Sequence, residues 1–197
     1  MTQTLPSPPY IGEEWPEQGA WTYDDYARIP DDGRRYEVIR GILYMAPSPN
    51  TRHQYAISRL GNALYNYVEQ HQLGRIYFSP IDVILPGLAN PIQPDILFIA
   101  RDRLDIIRKQ TIDEPPDLVV EVLSPSSRKH DRRLKYETYE AAGVREYWIV
   151  DVDQDLIEVF VLRTGQYTKS DRYTAGQTAI SEVLNGFSIS VDAVCAG

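Results

Sequence analysis

The chain is poor in cysteine and in long apolar runs, and each shortage argues against a class of protein. Its 197 residues include one cysteine, Cys195, so no disulfide can form within the chain. This fits the reducing cytoplasm, where we expect the protein to reside. The first residues lack the basic stretch and apolar core of a secretory signal. No apolar run approaches the roughly 20 residues that a membrane helix needs, so no membrane association is expected.

Histidine and net positive charge are also scarce. The three histidines lack the spacing with cysteine that marks a zinc site. The net charge of -8 argues mildly against tight non-specific nucleic-acid binding, which depends on the neutralisation of phosphates. The same acidity is consistent with carboxylates that cluster around a cation.

The hydrophobic pattern predicts an α/β (α+β) domain whose layers enclose a mixed sheet. Residues 1–17 are Pro-rich and polar, which predicts a flexible N-terminal tail before a single domain over 18–197. Helices are predicted over 22–28, over 50–72 with Asn50 as N-cap and Gly74 as C-cap, and over 131–142. Strands are predicted over 35–45 as a hairpin, 75–79, 82–85, 94–100, 117–123, 144–152, 156–162 and 167–173. Residues 101–112 are expected to form a short helix or loop, and 175–197 a mixed closing segment.

One acidic residue, Glu121, lies inside an apolar run. Leu118, Val120 and Val122 occupy alternate positions of this run, and apolar residues also occupy positions between them. This pattern is typical of a strand that is covered on both faces. An unpaired buried carboxylate costs several kcal/mol or more. Glu121 must therefore be protonated, paired with a cation, or bound to a metal ion.

Other residues supply possible partners for Glu121. Asp95 begins one apolar strand, and Asp82 precedes another apolar run. Lys135 lies on the helix that follows Glu121, where Asp131, Lys135 and Tyr139 share one face. Carboxylates on adjacent strands could make an all-oxygen site for Mg²⁺ or Mn²⁺. Alternatively, Glu121 and Lys135 could form a buried salt bridge, with Asp95 as a turn cap. For each residue alone this simpler interpretation is favoured. For the set of residues together, the metal site is favoured.

Several of these residues recur in a known family pattern. The chain closely resembles the Uma2 (DUF820) family, which belongs to the PD-(D/E)xK nuclease superfamily and is described as bacterial restriction-type endonucleases. The resemblance spans roughly residues 20–190. The matching segments are Pro94–Asp95, Glu121–Ser126, Asp131 with Lys135 and Tyr139, Gly143–Asp151, Tyr36–Gly41 and His53.

The resemblance implies a restriction-endonuclease-like mixed central sheet flanked by helices, and it implies roles for the residues. Asp95 and Glu121 would hold the metal ion, Mg²⁺ or Mn²⁺, with the Val122 carbonyl as a third ligand. Lys135 would be the catalytic lysine. In the plain superfamily motif that lysine lies two residues after the acid, where this chain has Leu123, so the lysine has moved to the following helix.

Further residues are assigned supporting roles at the same site. Glu37 resembles the additional acidic residue that the N-terminal part of such folds contributes. Asp82 is a candidate for a further acidic member of the site. His53 is either a packed or capping residue or lines the site, and Tyr139 could hold Lys135, contact phosphate or simply pack in the core. A basic cluster beside the site could contact nucleic acid or could simply be a solvated helix face; its members are Arg128, Lys129, Arg132 and Arg133.

Three hypotheses about function follow from these assignments. The first is a metal-dependent endonuclease that acts on DNA. The second is a catalytically inactive nuclease fold that serves as a binding module, and the third is a phosphoesterase for small nucleotides. Because restriction-type nucleases often cut as dimers, a homodimer is also considered, with the hairpin over 144–162 as a possible edge for pairing.

Overall fold

The structure is a computed structural model that describes residues 3–4, 14–46, 50–123 and 130–196. The helices are α1 (Tyr23–Ala27), α2 (Thr51–His71), α3 (His130–Ala142) and α4 (Val191–Cys195), with a 3-10 helix at Arg101–Ile106. The strands are β1 (Gln3–Thr4), β2 (Arg35–Ile39), β3 (Ile42–Ala46), β4 (Gly74–Phe78), β5 (Asp82–Leu85), β6 (Ala89–Ile92), β7 (Ile96–Ala100), β8 (Thr111–Ile112), β9 (Leu118–Val122), β10 (Glu146–Asp151), β11 (Leu156–Arg163), β12 (Gln166–Thr174), β13 (Thr178–Ile180) and β14 (Ser188–Ser190).

Two six-stranded sheets account for most of these strands. One has the order β12-β11-β10-β9-β7-β4, in which only β9 and β10 are parallel. The other has the order β1-β3-β2-β6-β5-β8. A parallel pair needs a crossover connection, and α3 supplies it between β9 and β10. The mixed α/β architecture predicted from the sequence is therefore confirmed.

The strand β9 is covered on both faces, as its double apolar parity predicts. Leu118, Val120 and Val122 pack in one core cluster with Leu60 and Leu64 of α2. On the opposite face, Val119 and Leu123 join a second core cluster with residues of β5, β6 and α3. Glu121 alternates with Val119 and Leu123 along β9 and therefore points to the same face. Its carboxylate enters the layer between the sheet that contains β9 and the elements β5, β6 and α3.

Several local features differ from the sequence-based prediction. The C-cap of α2 is Gln72, which adopts the left-handed conformation (φ 53°), whereas the predicted C-cap Gly74 already begins β4. The strand β6 was not predicted, because Pro91 within it is untypical of a strand. The segment after 175 contains β13, β14 and α4. By contrast, the predicted caps hold: Thr22 caps α1 and Asn50 Oδ1 accepts from the amide of His53 at 2.8 Å.

The hairpin β10–β11 cannot supply a free edge for a dimer, so that expectation is wrong. Both strands are interior: β10 lies between β9 and β11, and β11 pairs with β12 from Leu156 to Arg163. The hydrogen-bonding groups that a partner strand would use are already occupied. The edges of this sheet are β4 and β12.

Parts of the predicted tail contact the domain. The strand β1 pairs with β3, and the ring of Trp15 stacks on Trp21 with a centroid distance of 5.5 Å. No helix among the described residues combines the length and hydrophobicity that crossing a membrane requires.

Candidate active site

The Glu121 carboxylate is the centre of a buried polar cluster. Glu121 is 6% exposed, and its Oε1 accepts hydrogen bonds from Lys135 Nζ at 2.9 Å and from Tyr139 Oη at 2.7 Å. Lys135 and Tyr139 are four residues apart on α3, so both side chains reach the same strand from one helix face. The sequence-based prediction that these two residues lie together near Glu121 agrees with these contacts.

A second carboxylate, Asp95, lies directly before β7, which is the neighbour of β9. Asp95 is 5% exposed, and its Oδ2 accepts from the amide of Val122 at 2.9 Å. His53 of α2 brings Nε2 to 3.2 Å from the same oxygen. The other ring nitrogen of His53, Nδ1, is buried and has no hydrogen-bond partner in the described part of the chain.

The third carboxylate, Glu37, comes from β2 of the other sheet. Its Oε1 lies 3.0 Å from Lys135 Nζ and accepts from the amide of Gln93 at 2.8 Å. Lys135 therefore joins carboxylates that two different sheets contribute. The cluster sits where the two sheets and α3 meet.

The charges of the cluster do not cancel. Glu37, Asp95 and Glu121 contribute three carboxylates, while Lys135 contributes one ammonium group, which leaves an excess of negative charge. Burial, reinforced by Asp95 and Glu37 and only partly opposed by Lys135, raises the pKa of Glu121 to about 8. A proton on Glu121 near neutral pH therefore relieves part of the excess.

Lys135 and Asp95 both stay charged. Burial would lower the pKa of Lys135, but the surrounding carboxylates Glu121, Glu37 and Asp95 outweigh it and raise that pKa well above its ordinary value. Burial would raise the pKa of Asp95, but contacts with His53, Lys135 and the Val122 amide outweigh it, so the pKa of Asp95 is lowered. Lys135 is thus an ammonium cation near neutral pH and cannot act as a base.

This donor set fits a hard divalent cation. The contacts of Asp95 described above fall on Oδ2 and those of Glu121 on Oε1. Once Glu121 gives up its proton, the three carboxylates and the Lys135 ammonium leave an excess negative charge of the size that one divalent ion compensates. Among the described residues, no group of three His, Cys, Asp or Glu side chains is arranged to hold an ion unaided. Mg²⁺ is commonly held by one or two carboxylates together with water and substrate phosphates, so Asp95 and Glu121 suit that mode of binding.

Not every predicted site residue joins this cluster. Asp82 is bound instead by Tyr23, Tyr26 and the side chain of Gln93, in an adjoining pocket. Arg132 forms an ion pair with the buried Glu158. Arg128, Lys129 and the side chain of Asp131 lie outside the described residues, and their roles stay predictions, as does the role of the Val122 carbonyl.

Sequence reasoning missed Gln93, whose backbone amide binds Glu37 while its side chain binds Asp82. A glutamine before Pro94–Asp95 carries no pattern that would reveal such a position.

Two fully buried carboxylates outside the cluster were also missed. Asp117 pairs with Arg103 and Arg145, and Glu146 accepts from Trp148 Nε1 at 2.6 Å, so both are satisfied by the fold itself.

Comparison with known proteins decides the family. A profile of the Uma2 family, described as "Putative restriction endonuclease", matches residues 23–192. The chain belongs to the Uma2 family. A search of curated protein sequences found no match.

The fold of this Uma2 protein resembles a solved structure from the same group. A DUF820 protein from Anabaena variabilis ATCC 29413, described as a putative nuclease, superposes with a TM-score of 0.74. It shares 16% sequence identity and the match covers 89% of this chain and 98% of that one. The type IIG restriction endonuclease BpuSI matches 64% of this chain and 14% of its own at 14% identity, with a TM-score of 0.38. The first likeness confirms the nuclease-like fold.

Proposed function

We propose that this Uma2 protein is a divalent-metal-dependent endonuclease that hydrolyses phosphodiester bonds in DNA. The observation that carries the proposal is the buried cluster in which Asp95 and Glu121 lie beside a protonated lysine and retain excess negative charge. Membership of the Uma2 family supports nuclease chemistry in general.

Two carboxylates form the proposed metal site. Asp95 and Glu121 would hold Mg²⁺ or Mn²⁺. When bound, the ion would acidify a water molecule and polarise the phosphodiester. His53 and the Val122 amide orient Asp95 through its Oδ2, so this carboxylate is held in place before substrate arrives.

Lys135 supplies fixed positive charge in a site from which water is largely excluded. Its side chain is 14% exposed, and its ammonium group is held by Glu37 and Glu121. Such a group stabilises negative charge that develops on the phosphate or on the attacking hydroxide. Tyr139 donates to Glu121 and thereby fixes the orientation of that carboxylate.

The test is cleavage of supercoiled and linear DNA by the purified full chain with Mg²⁺ or Mn²⁺, with EDTA as the negative control. Asp95→Asn should abolish nicking, and Lys135→Met should slow it by about 100- to 1000-fold. The matched control is Asp117→Asn, which removes another fully buried carboxylate that lies outside the cluster. Absence of cleavage of any DNA or RNA, together with absence of metal binding by calorimetry, would exclude the enzyme.

The second candidate is a nuclease-fold binding module without catalysis. The observation that favours it is the engagement of Lys135 Nζ by two carboxylates at 2.9 and 3.0 Å, as in a structural ion-pair network. Under this alternative, DNA would bind equally well in EDTA and in Mg²⁺ without being cut.

A further inference from the structure

A second polar concavity lies beside the Glu121 cluster, and the proposed chemistry does not use it. Its volume is about 600 Å³, within the range of pockets that hold small ligands. Its walls come from α1, from the residues around the start of β2, and from the chain leading into β5. Three of its lining side chains are tyrosines, Tyr23, Tyr26 and Tyr36, and Asp82 and Gln93 lie against them. An aromatic wall with a few convergent polar groups is typical of a binding site.

The polar groups of this pocket converge on Asp82. Its Oδ1 accepts from Tyr26 Oη at 3.1 Å and from Gln93 Nε2 at 2.8 Å, and its Oδ2 accepts from Tyr23 Oη at 3.3 Å. All three donors are neutral, and no Lys, Arg or His of the described residues forms an ion pair with Asp82. Arg34 also lines the pocket, but its ion pair is with Asp32 at 3.6 Å. Asp82 itself therefore favours a ligand that brings N–H donors.

Two links connect this pocket to the Glu121 cluster. Gln93 binds Asp82 through its side chain and Glu37 through its backbone amide. Arg35 precedes Glu37 by two residues on β2, so the two side chains leave the same face of the strand. Arg35 is not a lining residue of the pocket, but it binds Ser79, which directly precedes the lining residue Pro80. A ligand in the pocket would thus lie next to whatever reacts at the cluster.

Arg35 is placed to bind an anion at this junction. Its Nη1 donates to Ser79 Oγ at 2.7 Å, and the amide of Ser79 in turn donates to the carbonyl of Asp95 at 3.1 Å. No Asp or Glu of the described residues forms an ion pair with Arg35. A half-buried guanidinium without a carboxylate partner retains donors for a phosphate.

We propose that the pocket around Asp82 is a nucleotide subsite, which holds a base with an exocyclic amino group while Arg35 binds the adjoining phosphate. The proposal rests on the proposed function in that the ligand is part of a nucleic-acid strand. A carboxylate only accepts hydrogen bonds, and the N4 amino group of cytosine is the kind of donor that Asp and Glu recognise. Tyr23 and Tyr26 offer rings against which a base can stack.

The test compares two ligands that differ only along one edge of the base. Cytosine carries the N4 amino donor beside an accepting N3 atom, whereas uracil carries the accepting O4 atom beside an N3–H donor. Single-stranded hexanucleotides of deoxycytidine and deoxyuridine are titrated into the full chain in EDTA at pH 8, where cleavage cannot interfere, and binding is followed by calorimetry. We expect deoxycytidine to bind at least about five-fold more tightly, since one recognised base edge typically discriminates by ~5- to 150-fold.

Three variants separate recognition of the base from general affinity. Asp82→Asn should abolish the preference, because an amide can donate to the O4 atom of uracil as readily as it accepts from cytosine. Tyr23→Ala should weaken both ligands equally, by about five-fold or more, through lost stacking. Arg35→Met should also weaken both equally and lower the salt dependence by about one phosphate contact. Circular dichroism establishes that each variant is folded.

Equal binding of the two hexanucleotides by the unmodified protein, binding of neither, or a preference that survives Asp82→Asn would each overturn the proposal. These outcomes are independent of the nuclease activity. A protein that prefers deoxycytidine through Asp82 but cuts no DNA with Mg²⁺ would retain the subsite and lose the proposed function. Conversely, a protein that cuts DNA without this preference would retain the function and lose the subsite.

Discussion

Replacing Glu121 with glutamine should make the metal-free protein more stable at neutral and alkaline pH. The pKa of Glu121 rises from 4.5 to about 8 in the folded protein because burial, Asp95 and Glu37 disfavour its charge. A group whose pKa is raised on folding makes its full contribution to the stability of the protein at a pH below its pKa in the unfolded chain. That contribution is lost as the pH rises through its pKa in the folded protein. The relevant window therefore runs from about pH 4.5 to pH 8.

The size of the effect follows from the same shift. Each tenfold change in proton affinity corresponds to about 1.4 kcal/mol. The ionisable carboxyl group of Glu121 therefore lowers the free energy of unfolding by roughly 3 kcal/mol at pH 7 and by roughly 5 kcal/mol above pH 8. Glutamine cannot ionise, and its Oε1 can still accept from Lys135 and Tyr139. Lys135 also keeps its pairing with Glu37. The variant should therefore match the unmodified protein near pH 4.5 and exceed it in stability at pH 8.

Urea denaturation in EDTA at several values between pH 5 and pH 9 measures this difference. Titration with Mn²⁺ should then stabilise the unmodified protein and leave Glu121→Gln unchanged. A purely structural ion pair between Glu121 and Lys135 would give the opposite result, a loss of stability. A variant less stable by ~3–5 kcal/mol across the whole pH range would mean that Glu121 serves to neutralise Lys135, and the metal-site account would be refuted.

Three further predictions concern the neighbours of Glu121. Lys135→Met should lower the rate of DNA cleavage by about 100- to 1000-fold without weakening Mn²⁺ binding in calorimetry, because the lysine repels the ion. His53→Ala should weaken Mn²⁺ binding by about 10- to 100-fold, since Asp95 loses the contact to Nε2 that holds its orientation; an unchanged affinity would show that His53 does not hold this carboxylate. Asp117→Asn should cost about 3 kcal/mol in urea denaturation by leaving Arg103 partly unpaired, while Mn²⁺ affinity stays the same.

The core of the candidate site was accessible to sequence reasoning because two local patterns constrain it. The double apolar parity around Glu121 requires a strand buried on both faces, and the contacts of Val119 and Val120 on opposite sides confirm it. The spacing of Lys135 and Tyr139 then fixes one helix face. Since α3 connects β9 to its parallel neighbour β10, that face can pack back on the strand it follows.

The features that sequence reasoning missed depend on contacts between distant segments. Asp82 was grouped with the metal site because it precedes an apolar run, but its partners Tyr23 and Tyr26 lie 59 and 56 residues before it in the chain, on α1. Buried carboxylates such as Asp117 and Glu146 show that burial alone does not mark a reactive site. Their partners neutralise or satisfy them, which only the fold reveals.

Anomalous diffraction from crystals soaked in Mn²⁺ tests the central claim most directly. We expect one strong peak about 2–2.5 Å from a carboxylate oxygen of both Asp95 and Glu121, and no such peak in crystals of Asp95→Asn. A protein that takes up Mn²⁺ only elsewhere, or that keeps the Lys135–Glu121 contact with no ion beside it at saturating Mn²⁺, would contradict the assignment of this cluster as a metal site.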